Sequence, residues 1–281
     1  MKKLISGNIV WALVLLFGII GAGGVSAQET EEDEEVEPVN WAFATHLGTG
    51  IYTASGRAVQ VYTLPFSYAF RSVEDSDWGI KLKFPVTLGF YGFQVQDIIE
   101  SGLPNDVSTV SVLPGLEFEY PIRDNWFLMP FADLGAGYNF SANRATYIYS
   151  AGIKSLVIFP WKGFECRFGN RFLYAGYITP QADVAESYRS FETGFDMRHP
   201  LPYTVLGHPT SWSVYFVNFL YGNLEFLQSL SSAFYVNIQN EFGFTVGTSD
   251  KFWWSGNPRL GLGYRFGADF HAIRIVFGMP F

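Results

Sequence analysis

The 281-residue chain holds one cysteine, Cys166, and four histidines. A single thiol excludes an intrachain disulfide framework and a thiolate metal cluster. Charge is scarce too, with Asp, Glu, Lys and Arg together at 16% of residues. Acidic residues outnumber basic ones, 26 to 18, so the balance argues against a nucleic-acid-binding surface. After residue 22 no apolar run approaches the roughly 20 residues that a membrane helix needs, and no stretch carries a convincing helix signature; the most helix-like piece, residues 223–230, reads as part of a loop. What the chain has instead is aromatic side chains, at 19%, and 29 glycines.

Three zones follow from the order of residues. Lys2 and Lys3 precede an apolar run over residues 9–22 that exits through Gly23, Gly24, Val25, Ser26 and Ala27. That is the layout of a secretory signal peptide, 1–27, cleaved after Ala27. Residues 28–40 carry Glu29, Glu31, Glu32, Asp33, Glu34, Glu35 and Glu37. Like charges at that density repel and bury no apolar area, so this zone reads as an acidic, solvated tail, with cation binding or plugging of a lumen as the alternatives. Residues 41–281 form the third zone, aromatic-rich, glycine-rich and strand-like.

In that zone apolar and polar residues alternate with a period of two. Residues 234, 236, 238, 242 and 244 are Phe, Val, Ile, Phe and Phe, while 235, 237, 239, 241 and 245 are Tyr, Asn, Gln, Glu and Thr. Successive side chains of a strand point to opposite faces, so each such segment has one apolar face and one polar face. About twelve segments fit: 41–53, 57–70, 78–91, 107–120, 126–139, 145–159, 163–178, 187–199, 211–221, 233–246, 257–266 and 269–281. A soluble sandwich also alternates, but here the apolar faces are strongly aromatic and the polar ones charged. The fold class predicted is all-β, a transmembrane antiparallel up-and-down barrel of about twelve strands.

The last segment carries the most specific signal. Ile273, Ile275, Phe277, Met279 and Phe281 form its apolar face and end on an aromatic residue. This resembles the closing strand of bacterial outer-membrane β-barrels, in which such residues are the recognition signal for the barrel-assembly machinery. The resemblance implies the outer membrane of a Gram-negative bacterium, with outer-membrane lipid, lipopolysaccharide and that machinery as partners. An even strand count then returns both termini to the periplasm. Periplasmic turns fall at 71–77, 121–125, 160–162, 200–210 and 247–250, and the outer loops include 93–106, 179–186 and 222–232. Only 200–210 departs from the pattern of short turns inside and long loops outside.

By parity the lumen receives Lys81, Lys83, Lys154, Arg167, Arg171, Arg198, Arg259, Arg265 and Arg274, against Glu117, Glu119, Asp133, Glu165, Glu192, Asp196 and Glu241. A wide ion-selective pore would line itself with one sign, whereas near balance favours ion pairs filling a plugged or narrow barrel. The expected lumen charge network is Lys154, Glu165, Arg167, Arg171, Glu192, Asp196 and Arg198. Its expected role is to hold register, since desolvation opposes any gain in stability.

Catalytic chemistry finds little support. Outer-membrane phospholipases and lipid A deacylases use a strand-borne His with a Ser two residues on; here His46, His199, His208 and His271 are followed at that spacing by Gly48, Leu201, Thr210 and Ile273. A protease-like set of His46, Asp183 and Glu186 has no motif behind it, and His46 reads as an inward, hydrogen-bonded residue. Gly135, Gly137, Gly261 and Gly263 recur at period two with no helix following, so they make room for large side chains rather than cradle phosphate. No metal or cofactor is expected.

About twelve strands with this glycine and aromatic rhythm also resemble the translocator barrel of autotransporters, in which a passenger is joined to the barrel by a helix threading the pore. Residues 28–40 are too short and acidic for a passenger, so the resemblance is to solitary, passenger-free barrels. It implies a non-enzymatic barrel, structural or a narrow channel. The alternatives are a lipid- or peptide-hydrolysing barrel, or an adhesin or receptor acting through loops 93–106 and 222–232.

Overall fold

The computed structural model describes residues 40–54, 57–73, 76–93, 108–222, 236–248, 259–268 and 270–280. The leader 1–27, tail residues 28–39, the loop piece 223–230 and Phe281 lie outside the described residues. One short helix, α1 (Trp41–Leu47), comes first. Thirteen strand segments follow: β1 (Gly50–Ala54), β2 (Arg57–Arg71), β3 (Gly79–Phe93), β4 (Thr109–Val112), β5 (Gly115–Arg123), β6 (Trp126–Asn139), β7 (Arg144–Trp161), β8 (Phe164–Thr179), β9 (Val184–Val205), β10 (His208–Gly222), β11 (Val236–Thr248), β12 (Arg259–Phe266) and β13 (Phe270–Phe277). A 3₁₀ turn, Pro180–Ala182, joins β8 to β9.

Every pairing is antiparallel between neighbours, and β1 pairs with both β2 and β13, which closes the sheet on itself. β4 and β5 each pair with β3 on one side and β6 on the other. They are one wall strand broken at Leu113 and Pro114, where proline has no N–H to give the ladder. The break is satisfied locally: Leu113 N–H donates to the Pro85 carbonyl at 3.1 Å, and the Pro114 carbonyl accepts from Leu134 N–H at 2.9 Å. The wall is therefore a closed antiparallel barrel of twelve strands. Among the described residues no helix is long and apolar enough to cross a membrane, which says nothing against a barrel.

Parity sorts the side chains as period two requires. In β13, His271, Ile273, Ile275 and Phe277 are exposed on the outer face, while Phe270, Ala272 and Val276 are buried inside and Arg274 shares their face. Phe172, Phe191, Phe216, Phe242, Phe244 and Leu262 continue the apolar exterior around the ring. Aromatic contacts gather toward its two ends. Trp78 stacks on Tyr120 and Phe164 meets Trp212 edge-on towards the turn end, while Tyr138 meets Phe140 edge-on and Tyr264 stacks on His271 towards the loop end. An apolar belt between aromatic girdles is the surface that hydrocarbon flanked by headgroups demands.

Three local expectations are corrected. The segment 41–53 is not one strand: residues 41–47 coil into α1, and the wall begins only at Gly50. The stretch 200–210 is no loop, because β9 runs on to Val205 and turns through two residues into β10 at His208. Leu206 and Gly207 have φ of 52° and 83°, the left-handed pair of a tight hairpin turn whose twist matches the strands. Lys162 and Gly163 repeat that geometry between β7 and β8. The carboxyl side also departs: β13 stops at Phe277, and Gly278 at φ 77° turns the chain inward. Met279 thereby reaches across the lumen, its Sδ 3.8 Å from Arg167 Nη1, instead of facing lipid.

The closing seam is short. β1 pairs through five residues with β2 (Gly50↔Val61 to Ala54↔Arg57) and through five with β13 (Gly50↔Arg274 to Ala54↔Phe270). Just below it, the Thr49 carbonyl accepts from Ile275 N–H, and Thr49 Oγ1 accepts from Thr63 N–H and donates to the Thr63 carbonyl. Beyond Thr63, β2 keeps β3 on one edge and, among the described residues, has no strand on the other. Pro65, Ser67 and Ala69, on the lumen side by register, are exposed there.

Candidate functional site: the occupied lumen

α1 lies inside the barrel. Its start is fixed by Asn40, whose Oδ1 accepts from Phe43 N–H at 2.9 Å as an N-cap, and its end by Gly48 at φ 82°. The amide of Asn40 donates to Glu186 Oε2 at 3.0 Å, and the Tyr177 hydroxyl donates to the same oxygen at 2.9 Å. Glu186 lies two residues into β9 from the loop end, so the helix starts near that rim and not at the turn end. Trp41 packs over Gly137, where a Cβ would stand 2.5 Å from the indole ring. The Phe43 ring meets Tyr221 and Tyr188 edge-on at 5.4 and 5.8 Å. At the foot of the helix, the Tyr52 hydroxyl is 2.7 Å from the Leu47 carbonyl and 2.9 Å from that of Gly48. Trp41, Phe43 and Leu47 are all buried, in a lumen where the barrel supplies tyrosines and glycines to receive them.

Below and around α1, ion pairs fill the interior. Glu117 joins Lys154 at 2.6 Å and Lys81 at 3.5 Å, and Lys81 also reaches Glu119 at 2.7 Å. Lys83 pairs with Asp133 at 2.6 Å, Ser150 donates to the same carboxylate, and the Lys83 ammonium sits over the Phe131 ring. On β8 and β9, Arg171 pairs with Glu192 at 2.5 Å, Arg167 with Glu165 at 2.8 Å and Arg198 with Asp196 at 2.6 Å. Near the seam Glu241 holds Arg274 and accepts from the Tyr215 hydroxyl, while Arg265 stacks on Phe219 and donates to the Tyr221 hydroxyl.

All seven residues of the expected network thus face the lumen in ion pairs, in a different pattern from cross-strand matching alone. Register sets Glu165 opposite Arg198 and Arg167 opposite Asp196, yet each arginine takes the carboxylate two places away on its own strand. Lys154 finds its carboxylate on β5, in a cluster of Lys81, Lys83, Glu117, Glu119 and Asp133 that the sequence reading left outside the network. Of the closing-strand residues, Ile273, Ile275 and Phe277 face outward and Met279 does not.

One cavity, between Met129, Lys154, Arg171, Glu192 and Met279, is about 10 Å³. At the turn end a vestibule of about 530 Å³ opens between Phe159, Glu165, Arg167, Arg198 and Ser211. No group of three or more metal-ligating side chains occurs among the described residues. His46 is carried on α1 within electrostatic reach of Arg171, Lys83 and Lys154, its Nε2 buried without a hydrogen-bond partner. Glu186 is engaged by Asn40 and Tyr177, and Asp183 ends the 3₁₀ turn at φ 52°. The hydrogen bond expected for His46 is thus missing at Nε2.

No protein-family model matches the chain, and no curated protein sequence matches it. Among solved structures, the chain is similar to the KdgM porin in complex with disordered oligogalacturonate, with 8% identity, a TM-score of 0.40, and 80% of this chain and 94% of that one covered. It is also similar to LpxR from Salmonella typhimurium, with 10% identity, a TM-score of 0.45, and 81% and 90% of the two chains covered.

Proposed function

We propose that the protein spans the outer membrane of a Gram-negative bacterium as a barrel without catalytic activity, a narrow channel held shut by its own residues 41–47. The observation that carries this reading is the seat of α1. An apolar helix packed on Gly137, Tyr188 and Tyr221 occupies the space a solute would cross, and ion pairs span the lumen beneath it. A helix ahead of the first wall strand, lying in the pore, is also the arrangement of the translocator barrels that the sequence resembles. This supports an autotransporter-like barrel without a passenger; the proposal further takes the leader as removed after Ala27 and the acidic tail as solvated.

Conductance tests the reading. The intact protein in a planar bilayer gives no steps or only small ones, and replacing residues 41–47 by a Gly/Ser linker raises the conductance several-fold as the lumen empties. Large stable steps from the intact protein overturn the stopper. An unchanged, silent bilayer after the replacement reduces the barrel to a structural element. Hydrolysis of lipid or peptide that is lost in His46→Ala would favour an enzyme instead.

A further inference from the structure

We propose that residues 41–49 have a second seat, the strand position in the wall between β2 and β13 that no other described residue fills, and exchange between that seat and the lumen. The inference rests on the reading of α1 as the channel's stopper and names how the stopper is withdrawn.

The slot begins where β1 begins, between the two strands that β1 joins. β1 separates β2 from β13 down to Gly50; below that, β2 runs on to Arg71 and β13 to Phe277, and among the described residues only Thr49 stands between them. Among the described residues, the backbone groups along this edge of β2 have no ladder beyond Thr63, a costly condition at the depth of a hydrocarbon layer. Extending the observed registers one residue for one sets Leu47 opposite Leu64 and Phe277, Thr45 opposite Phe66 and Met279, and Phe43 opposite Tyr68. No bulge is needed, and Pro65, on the slot side with Thr63, costs the ladder one N–H.

Parity agrees with that register. In the wall, Trp41, Phe43, Thr45 and Leu47 would fall on the outer face with Phe66, Tyr68 and Phe70, while Ala42, Ala44, His46 and Gly48 would face the lumen. The same residues serve the helix only through borrowed contacts, since seven residues make too short a helix to stand alone. The behaviour of Met279 fits as well. β13 ends at Phe277, two residues past Ile275, whose N–H is the last to meet residue 49, and Gly278 then turns the chain so that the Met279 thioether enters the lumen. Filling the slot gives that segment a partner again and clears both α1 and Met279 from the passage.

Cysteine pairs in a Cys166→Ser background test this. Thr45 is buried in the lumen and Phe66 is on the outer face, so Thr45→Cys and Phe66→Cys meet only if the segment enters the wall, where directly opposed residues have a Cβ spacing that a disulfide accepts. Oxidation of outer membranes is expected to link this pair at least about tenfold more than the off-register pair Thr45→Cys and Tyr68→Cys. The linked protein should conduct in a bilayer until reductant is added. A short bismaleimide joining Phe43→Cys to Tyr221→Cys, which holds the helix in place, should prevent the disulfide. If the Thr45–Phe66 pair forms no more disulfide than the off-register pair, although both thiols react after denaturation, the exchange is overturned. A disulfide that forms without conductance upholds the exchange and overturns the channel; conductance on loss of residues 41–47 with no disulfide does the reverse.

Discussion

Single residues in the lumen are placed so tightly that small changes have readable effects. Lys154 has Glu117 as its carboxylate partner at 2.6 Å, and the Glu117 side chain is only 4% exposed. Glu117→Gln leaves an ammonium without its counter-charge, and we expect a loss of about 3 kcal/mol in urea unfolding from lipid vesicles. Adding Lys154→Met should return part of that loss, because removing both partners is cheaper than stranding one. Gly137 offers a second test. A Cβ there would meet the Trp41 ring at 2.5 Å, so Gly137→Val should unseat α1 and raise single-channel conductance without any change in α1 itself. Gly243 and Gly263 act alike toward the Tyr215 hydroxyl, whereas Gly135 and Gly261 sit where the backbone of Val112 and of Phe244 comes close, so of the period-two glycines only Gly137 and Gly263 make room for large side chains.

At the scale of elements, the sequence was legible where one periodicity operates and ambiguous where two fit. Eleven of the twelve wall strands were located from alternation, because lipid on one side and a polar lumen on the other impose it residue by residue. The segment 41–47 alternates too, with Trp41, Phe43, Thr45 and Leu47 against Ala42, Ala44 and His46, and parity alone reads it as strand. The signals for a helix were present at its ends, in Asn40 as N-cap and Gly48 as terminator, but seven residues carry too few turns for a 3.6-residue period to show. The stretch 200–210 was misread because its prolines, Thr and Gly resemble loop composition, although Leu206 and Gly207 alone make the turn. Gly207→Val, at φ 83°, should cost about 1 kcal/mol or more locally. It should appear as faster amide exchange in β9 and β10 near the tip, with the rest of the barrel unchanged.

For the molecule as a whole, the charge inventory was legible and the pairing was not. Parity says which side chains enter the lumen, so the sixteen candidates and the seven network residues were accessible to counting; which carboxylate meets which base depends on strand tilt and side-chain reach, and Lys154 with Glu117 spans three strands. Closure of the ring leaves most of the wall with partners on both edges, so unheated protein in dodecyl sulfate should keep a compact form that migrates differently from the boiled chain. The seam sets a limit on that resistance. A fabric sewn shut along five stitches parts there before it tears elsewhere, and β1 is that hem. Deuterium should therefore reach the amides of Ile51 and Tyr52 well before those in the middle of β8 and β9, and denaturant or a mechanical pull should unroll this cylinder into a ribbon whose first free margins are β1 and β13.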